Sequence, residues 1–460
     1  MWRERRLLWF TLAVVLLAGA SLVSNAARLA LQAQERQAAT EQEARLWHDQ
    51  GIIDPHDAAH VGRAVHSPVR PLAAFDPGIS DFVGSSVFIE GHVQNPARYR
   101  PIEGGAALSR FTGFSAAWTL QVVAPLMIIL AGFATMSGEL ARARLRQELG
   151  AGASTTALVA GRLMALVAMA GLLMVLMIGA TMPAILLQDV SEADVKAFAA
   201  LSAGYVLYLF VFCALTVAVS GLFVSARTTL VVLLGFWAFA TVLLPRVAPA
   251  VAETLAPTPS AVAFKSALIE DAEKDVDVHD PKDQGLKAFK AGLLANYGVS
   301  DVADLPINFR GAKYEYGEKL STERNRRHFD QLYKVYRRQD RVQRMFALLS
   351  PTISVKPWSR AFASTGFGAH LSYLRGVEDY RFRLMQKLNV EIKHHKPQSG
   401  ERHYATEIAS ITRDVIYRPG ELSLYDVAKA QAPNLAILLV WAVLAIGLTG
   451  VSAQRLGQRW

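Results

Sequence analysis

The side chains best suited to chemistry in this sequence are histidines. His56, His60 and His66 fall within one short stretch, and His394, His395 and His403 fall within another. A pair four residues apart on a helix presents both imidazoles on one face, and it binds a metal if further ligands join it. Pro55 stands beside the first pair, and no methionine-rich or cysteine ligand set accompanies either group. Surface histidines are the simpler reading, so the expectation is no metal site, no cofactor and no catalytic residue. The single cysteine, Cys213, sits in an apolar stretch, which excludes an internal disulfide and any zinc site built on cysteines. No HExxH, GxSxG or paired-carboxylate constellation supports hydrolysis, and no GxxxxGK[ST] loop cradles a nucleotide phosphate. The chain is not expected to be an enzyme.

A second constellation is charged and helical. Between 137 and 156, Leu145 and Leu149 share one helical face and Arg142 and Arg146 share another. Glu139 with Arg142, and Arg144 with Glu148, are spaced as favourable ion pairs. The run from Gly150 to Gly152 ends this helix, and Ser154, Thr155 and Thr156 restart the chain. Two readings stand side by side. The helix either receives a push from a soluble motor or anchors basic charge at lipid headgroups.

The elements that position these residues follow from composition. Of 460 residues, 52% are hydrophobic and 19% charged, and long charge-free stretches alternate with segments as polar as a soluble domain. A bilayer core of about 30 Å needs roughly 20 apolar helical residues. Six stretches qualify: 7–26, 116–136, 163–187, 197–224, 229–247 and 434–453. Pro125 and Pro183 fall inside the second and third, where they predict kinks. A net charge of +9 reports topology in such a chain before it reports nucleic acid, which is not an expected partner. Arg3, Arg5, Arg6, Arg142, Arg144, Arg146, Arg162, Arg227, Arg455 and Arg459 would all face the cytoplasm if the N-terminus does, and the acidic loop 188–196 would face outward. Both termini are therefore expected in the cytoplasm. The first stretch also has the form of a signal peptide, and its removal would leave the other five spans facing the same way.

The fold class expected is an all-α integral membrane protein with six transmembrane helices and two extracytoplasmic segments, the larger mainly helical. Residues 1–26 are the first span, and 27–115 form a stalk helix that turns irregular at its prolines, with a short strand at 87–93. Residues 116–247 hold spans two to five with the cytoplasmic connector 137–162. Residues 248–433 form the larger outer segment, and 434–460 the last span and tail. In the larger segment, Phe329, Leu332, Tyr336, Val342, Phe346 and Leu349 predict one helical face ending at Pro351. A second helix is expected after Pro357, with Leu374, Val377, Leu384 and Leu388 on one side, giving a helical hairpin. Arg324, Arg326, Arg327, Arg337, Arg338, Arg341 and Arg344 would form its solvated face.

Apart from Arg246 at the end of the fifth, the membrane stretches carry no Asp, Glu, Lys, Arg or His, which argues against an ion-driven carrier. The cytoplasmic pieces are far shorter than the roughly 100–200 residues a nucleotide-binding domain needs. Active transport would require an ATPase on another chain.

Six spans with a basic amphipathic connector after the second resemble the permease subunit of type-2 ABC exporters. In that family a Glu ends the second span, a leucine-rich connector and a small-residue turn follow, and a basic residue opens the third span. Glu139, Leu145, Leu149, the run 150–153 and Arg162 stand at those places; Ala143 and Arg144 replace the usual Gly-Thr, and no proline marks the turn. Leu349-Ser350-Pro351, Arg360-Ala361-Phe362 and the run 377–381 resemble a bacterial branch of uncharacterised multicopper-enzyme-maturation-like ABC permeases. The resemblance implies a separate ABC ATPase, a homodimer or heterodimer with a related permease, an exported substrate it does not identify, and the bacterial cytoplasmic (inner) membrane. Glu139, Arg142, Arg144, Leu145, Arg146 and Leu149 would then couple to the ATPase. The alternative is a membrane-anchored extracytoplasmic sensor or assembly factor that binds a partner without transport.

Overall fold

The computed structural model describes residues 5–100, 115–396, 404–420 and 422–459. Helix α1 (Arg5–His48) runs without a break from the first apolar stretch into the polar stalk, because Ala, Gln, Glu and Arg prolong what the apolar residues begin. At 1.5 Å per residue it is about 66 Å long, twice a bilayer core. Strand β1 (Ile52–Ile53), helix α2 (Pro55–Val61), strand β2 (Arg63–His66) and strand β3 (Ser86–Ile89) follow. β2 and β3 pair antiparallel, with Val65 opposite Val87. The strand expected at 87–93 stops at Ile89, and Glu90 and Val93 close a tight turn that holds His92 at a φ of 64°.

Among the described residues, five helices are long and apolar enough to cross a membrane, and the second expected span is not among them. That helix, α3 (Ala116–Gly132), ends before 136 because a serine of a neighbouring helix takes over its hydrogen bonding. Ser220 donates to the Phe133 carbonyl at 2.8 Å and accepts from Met136 N at 3.0 Å. The connector helix α4 (Glu139–Gly150) starts beyond Gly138, whose φ of 89° only glycine adopts readily. Helices α5 (Thr155–Leu186), α6 (Glu192–Leu222) and α7 (Ala226–Leu255) complete this part. Pro183 sits inside α5. Ahead of Pro125 and Pro245, α3 and α7 each widen into a π turn, at Thr119–Val123 and Ala238–Leu243. Trp237 of one donates to the Val122 carbonyl of the other at 2.9 Å.

The larger polar segment holds α8 (Ala261–Ala272), α9 (Gln284–Tyr297), α10 (Phe309–Met345), α11 (Pro351–Phe362), α12 (Phe367–His394), strand β4 (Thr406–Glu407), which pairs with β1, and α13 (Ile408–Thr412). α14 (Leu424–Arg459) returns through the bundle. The expected hairpin exists as α10 packed on α12, but its boundaries differ. α10 begins 20 residues before Phe329, and Pro357 lies inside α11 instead of preceding the second helix. The break comes at Ser364, with a φ of 56°, where Ile79 N binds the Thr365 carbonyl. Arg324 is also not solvated: it is buried and paired with Asp275.

The first and second polar segments share one apolar core, in which Trp47, Ala58, Val65 and Ile89 meet Val377, Leu384 and Leu388. This head sits on one end of the bundle. Phe75 packs on Phe198, Trp358 donates to the Ala200 carbonyl, and Trp441 donates to that of Ala347. A buried chain of hydroxyls seals the junction: Tyr208 donates to the Gln121 carbonyl at 2.6 Å, Gln121 to Tyr205 at 2.7 Å, Tyr205 to Ser359 at 3.0 Å, and Ser359 to Asp76. α4 lies at the opposite end, where Gly138 N binds the Val224 carbonyl at 2.8 Å. α6 connects the two ends and is the most enclosed of the apolar helices.

Candidate functional site

At the α4 end, the six connector residues do not form one surface. Leu145 is 1% exposed and belongs to the apolar core of the bundle, while Leu149 and Arg142 are half-buried. Glu139, Leu140, Arg144, Arg146 and Gln147 are exposed, with Leu140 at 70%. Leu140, Arg144 and Gln147, spaced by four and three, line the outward face. Leu145 therefore fastens α4 to its own chain and is not half of an outward leucine pair. Glu148 pairs with Arg162 of α5 at 2.7 Å, a partner outside the helix, where the spacing had suggested Arg144.

At the head end the structure brings histidines together. Asp54 caps α2, accepting from His56 N at 2.9 Å, and Pro55 occupies the first turn, where a missing N–H costs nothing. The proline that argued against a helical pair is its start signal. α2 places His56 and His60 one turn apart, with their Nε2 atoms 3.2 Å from each other. His92 arrives from the turn after β3. Its backbone N donates to Glu318 at 2.9 Å, and its Nδ1 lies 3.2 Å from the same carboxylate. Ligating atoms of His56, His60 and His92 all lie within 4.8 Å of one another. His279, from the loop between α8 and α9, has its ring 5.4 Å from that of His56 and 5.5 Å from that of His92.

His56, first read as a surface group, is not one, and His92 is also partly enclosed. His56 is buried and stacked on Tyr314 at 3.8 Å, and His92 is half-buried. Burial, then the nearby His60, His92, His279 and Arg310, pull the His56 imidazole down to about 3, so it is neutral near pH 7. Burial and His92 likewise lower His279. Glu318 is almost fully enclosed; burial pushes its carboxyl up, but the His92 hydrogen bond and the Arg381 guanidinium overturn this and hold it at about 2. Arg381, 1% exposed, bridges Glu318 and Glu378 and donates to Thr322. Arg310 adds a 2.6 Å ion pair to Asp54. α10 and α12 thereby brace the histidines that the first segment supplies.

His66 lies on β2 and is not in the group. His394 ends α12, His395 stacks on Tyr404 at 3.7 Å, and His403 lies outside the described residues. Sequence reasoning missed His92, His279 and Glu318, and singled out Arg381 only within the family-like run 377–381. Each is isolated in the chain from the α2 pair, and no local spacing joins them. The Asp-Pro start of α2 was the one available signal, because it sets both imidazoles on a helix.

No curated protein and no solved structure matches the chain. Residues 263–413 match the family described as a domain of unknown function (DUF3526), a stretch that contains His279, Glu318 and Arg381 and leaves His56, His60 and His92 outside it.

Proposed function

We propose that this chain is the membrane-spanning permease subunit of an ATP-driven exporter, energised by a separate ATPase through α4. The observation that carries the reading is the mounting of α4. One face is locked to the bundle by Leu145 and by the Glu148–Arg162 pair, and the other leaves Leu140, Arg144 and Gln147 exposed. A helix held this way transmits displacement, whereas a lipid anchor needs no rigid attachment. The path onward is α6, joined to the α4 end by Ser220 and to the head by Tyr205 and Tyr208.

In this reading α3 is the sixth, short crossing, and both termini and α4 face the cytoplasm of a bacterial inner membrane. The head faces outward, and the permease works as a homodimer or with a related chain. A cysteine at Ser300 then reacts with an impermeant thiol reagent in intact cells and one at Gln147 does not; buried Cys213 keeps the background low. The deciding experiment solubilises native membranes in a gentle detergent. A Walker-motif ATPase copurifies with the wild type, and Leu140→Ala with Arg144→Glu strips it while membrane levels hold. Failure of any such ATPase to copurify, or its retention by the double variant, removes the coupling role of α4 and favours an anchored binding protein.

A further inference from the structure

We propose that His56, His60 and His92, with His279 closing the fourth position, bind one divalent transition-metal ion of the zinc type. The ion would pin the turn after β3 to α2, beside Tyr314 and Glu318 of α10. The inference is independent of transport.

Distances carry the argument. Two imidazole nitrogens sharing an ion at 2.0–2.1 Å with tetrahedral angles stand about 3.3 Å apart, with ring centroids about 5 Å apart. His56 and His60 meet both conditions, with nitrogens at 3.2 Å and centroids at 4.7 Å. The remaining rings stand close to the same spacing: His92 is 5.8 Å from His56 and 5.7 Å from His60, and His279 is 5.4 Å from His56. Without an ion, the 3.2 Å contact is a hydrogen bond in one tautomer and leaves His92 out.

His92 supplies the second observation. Its Nδ1 faces Glu318, whereas its Nε2 is buried and has no hydrogen-bond partner. A carboxylate on one ring nitrogen fixes the tautomer that turns the other nitrogen, as a lone pair, toward a metal. A buried polar atom left unmatched costs stability unless something answers it. Glu318 is itself fixed by Arg381, so the orienting carboxylate cannot swing away.

Access is built in. A cleft of ≈ 540 Å³ ends at His92 and His279, and its walls include Glu273, Asp277 and Asp283. Such a mouth concentrates cations. A donor set of imidazoles, with no thiolate or carboxylate touching the ion, suits zinc and its neighbours rather than calcium or magnesium.

The test uses the full-length protein, purified in detergent with a tag that contains no histidine, stripped with a chelator and desalted. Zn²⁺ is titrated against a competing indicator, with elemental analysis for stoichiometry. One zinc per chain is expected, with a melting temperature that rises with free zinc. Co²⁺ in its place should show the strong visible bands of a tetrahedral site. His60→Ala with His92→Ala should weaken zinc binding roughly 100-fold or more, and His279→Ala by less, roughly tenfold. His66→Ala should change nothing. If the double variant folds poorly, His60→Ala alone decides, since that side chain is exposed and its removal leaves the packing intact. A wild-type protein that takes up no zinc, or variants that keep wild-type affinity, would overturn the proposal.

Discussion

The two ends of the molecule that could carry function are built on opposite plans. At the α4 end one buried leucine and one partly exposed ion pair hold a helix whose other face is open. At the head end, imidazoles from separate segments converge, and a buried Glu–Arg–Glu triad fixes the residue that orients one of them. A surface meant for a protein partner needs little internal bracing, because the partner supplies the missing contacts. A site meant for an ion needs its donors placed within fractions of an ångström before the ion arrives.

The largest expected effect tests the bracing. Arg381→Met leaves Glu318 and Glu378 buried without their shared counter-charge, and should cost about 3–5 kcal/mol. Thermal unfolding and limited proteolysis should show the head loosening while α4 stays protected. A melting temperature close to wild type would mean that the triad does not brace the histidines.

Leu145→Ala comes next and sharpens the contrast at the other end. As a core residue it should cost roughly 2–5 kcal/mol and lower membrane levels. Leu149→Ala, half-buried, should cost clearly less. Equal effects would restore the two leucines as one outward pair. Gly204→Ala probes what joins the ends. An added Cβ would collide with the Trp358 indole, which donates to the Ala200 carbonyl at 3.0 Å, and should cost about 1–3 kcal/mol. That loss should appear in the melting temperature without altering labelling at Gln147. The smallest effect belongs to Glu148→Gln. Its side chain is 40% exposed, so breaking its pair with Arg162 should cost only about 0.2–1 kcal/mol. A larger drop would make this pair, and not Leu145, the main fastener of α4.

Much of the architecture was legible residue by residue. Apolar runs long enough for a bilayer marked α5, α6, α7 and α14, and the spacing from Phe329 to Phe346 marked part of α10. The errors have identifiable causes. α3 stops early because Ser220, 84 residues beyond Met136, captures its last turn. Pro357 is absorbed because Ser350 and Pro351 had already started a helix before it. Arg324 looked solvated because Asp275, its partner, lies 49 residues upstream. At α3 and Arg324 a tertiary contact overrode a local preference, and at Pro357 one local signal overrode another.

The sequence alone determined that several long stretches are apolar enough to cross a membrane and that α4 is a helix of mixed charge. Those properties depend on side chains within a turn or two, and on how much apolar surface each stretch must hide from water. Only the tertiary structure decided that Leu145 faces inward, that the two polar segments share one core, and that His92 and His279 join the α2 pair. Glu318 reaches His92 across 226 positions. Helical periodicity carries no information over that distance, and a charge such as Arg381 can be buried only once folding has brought its carboxylates to it.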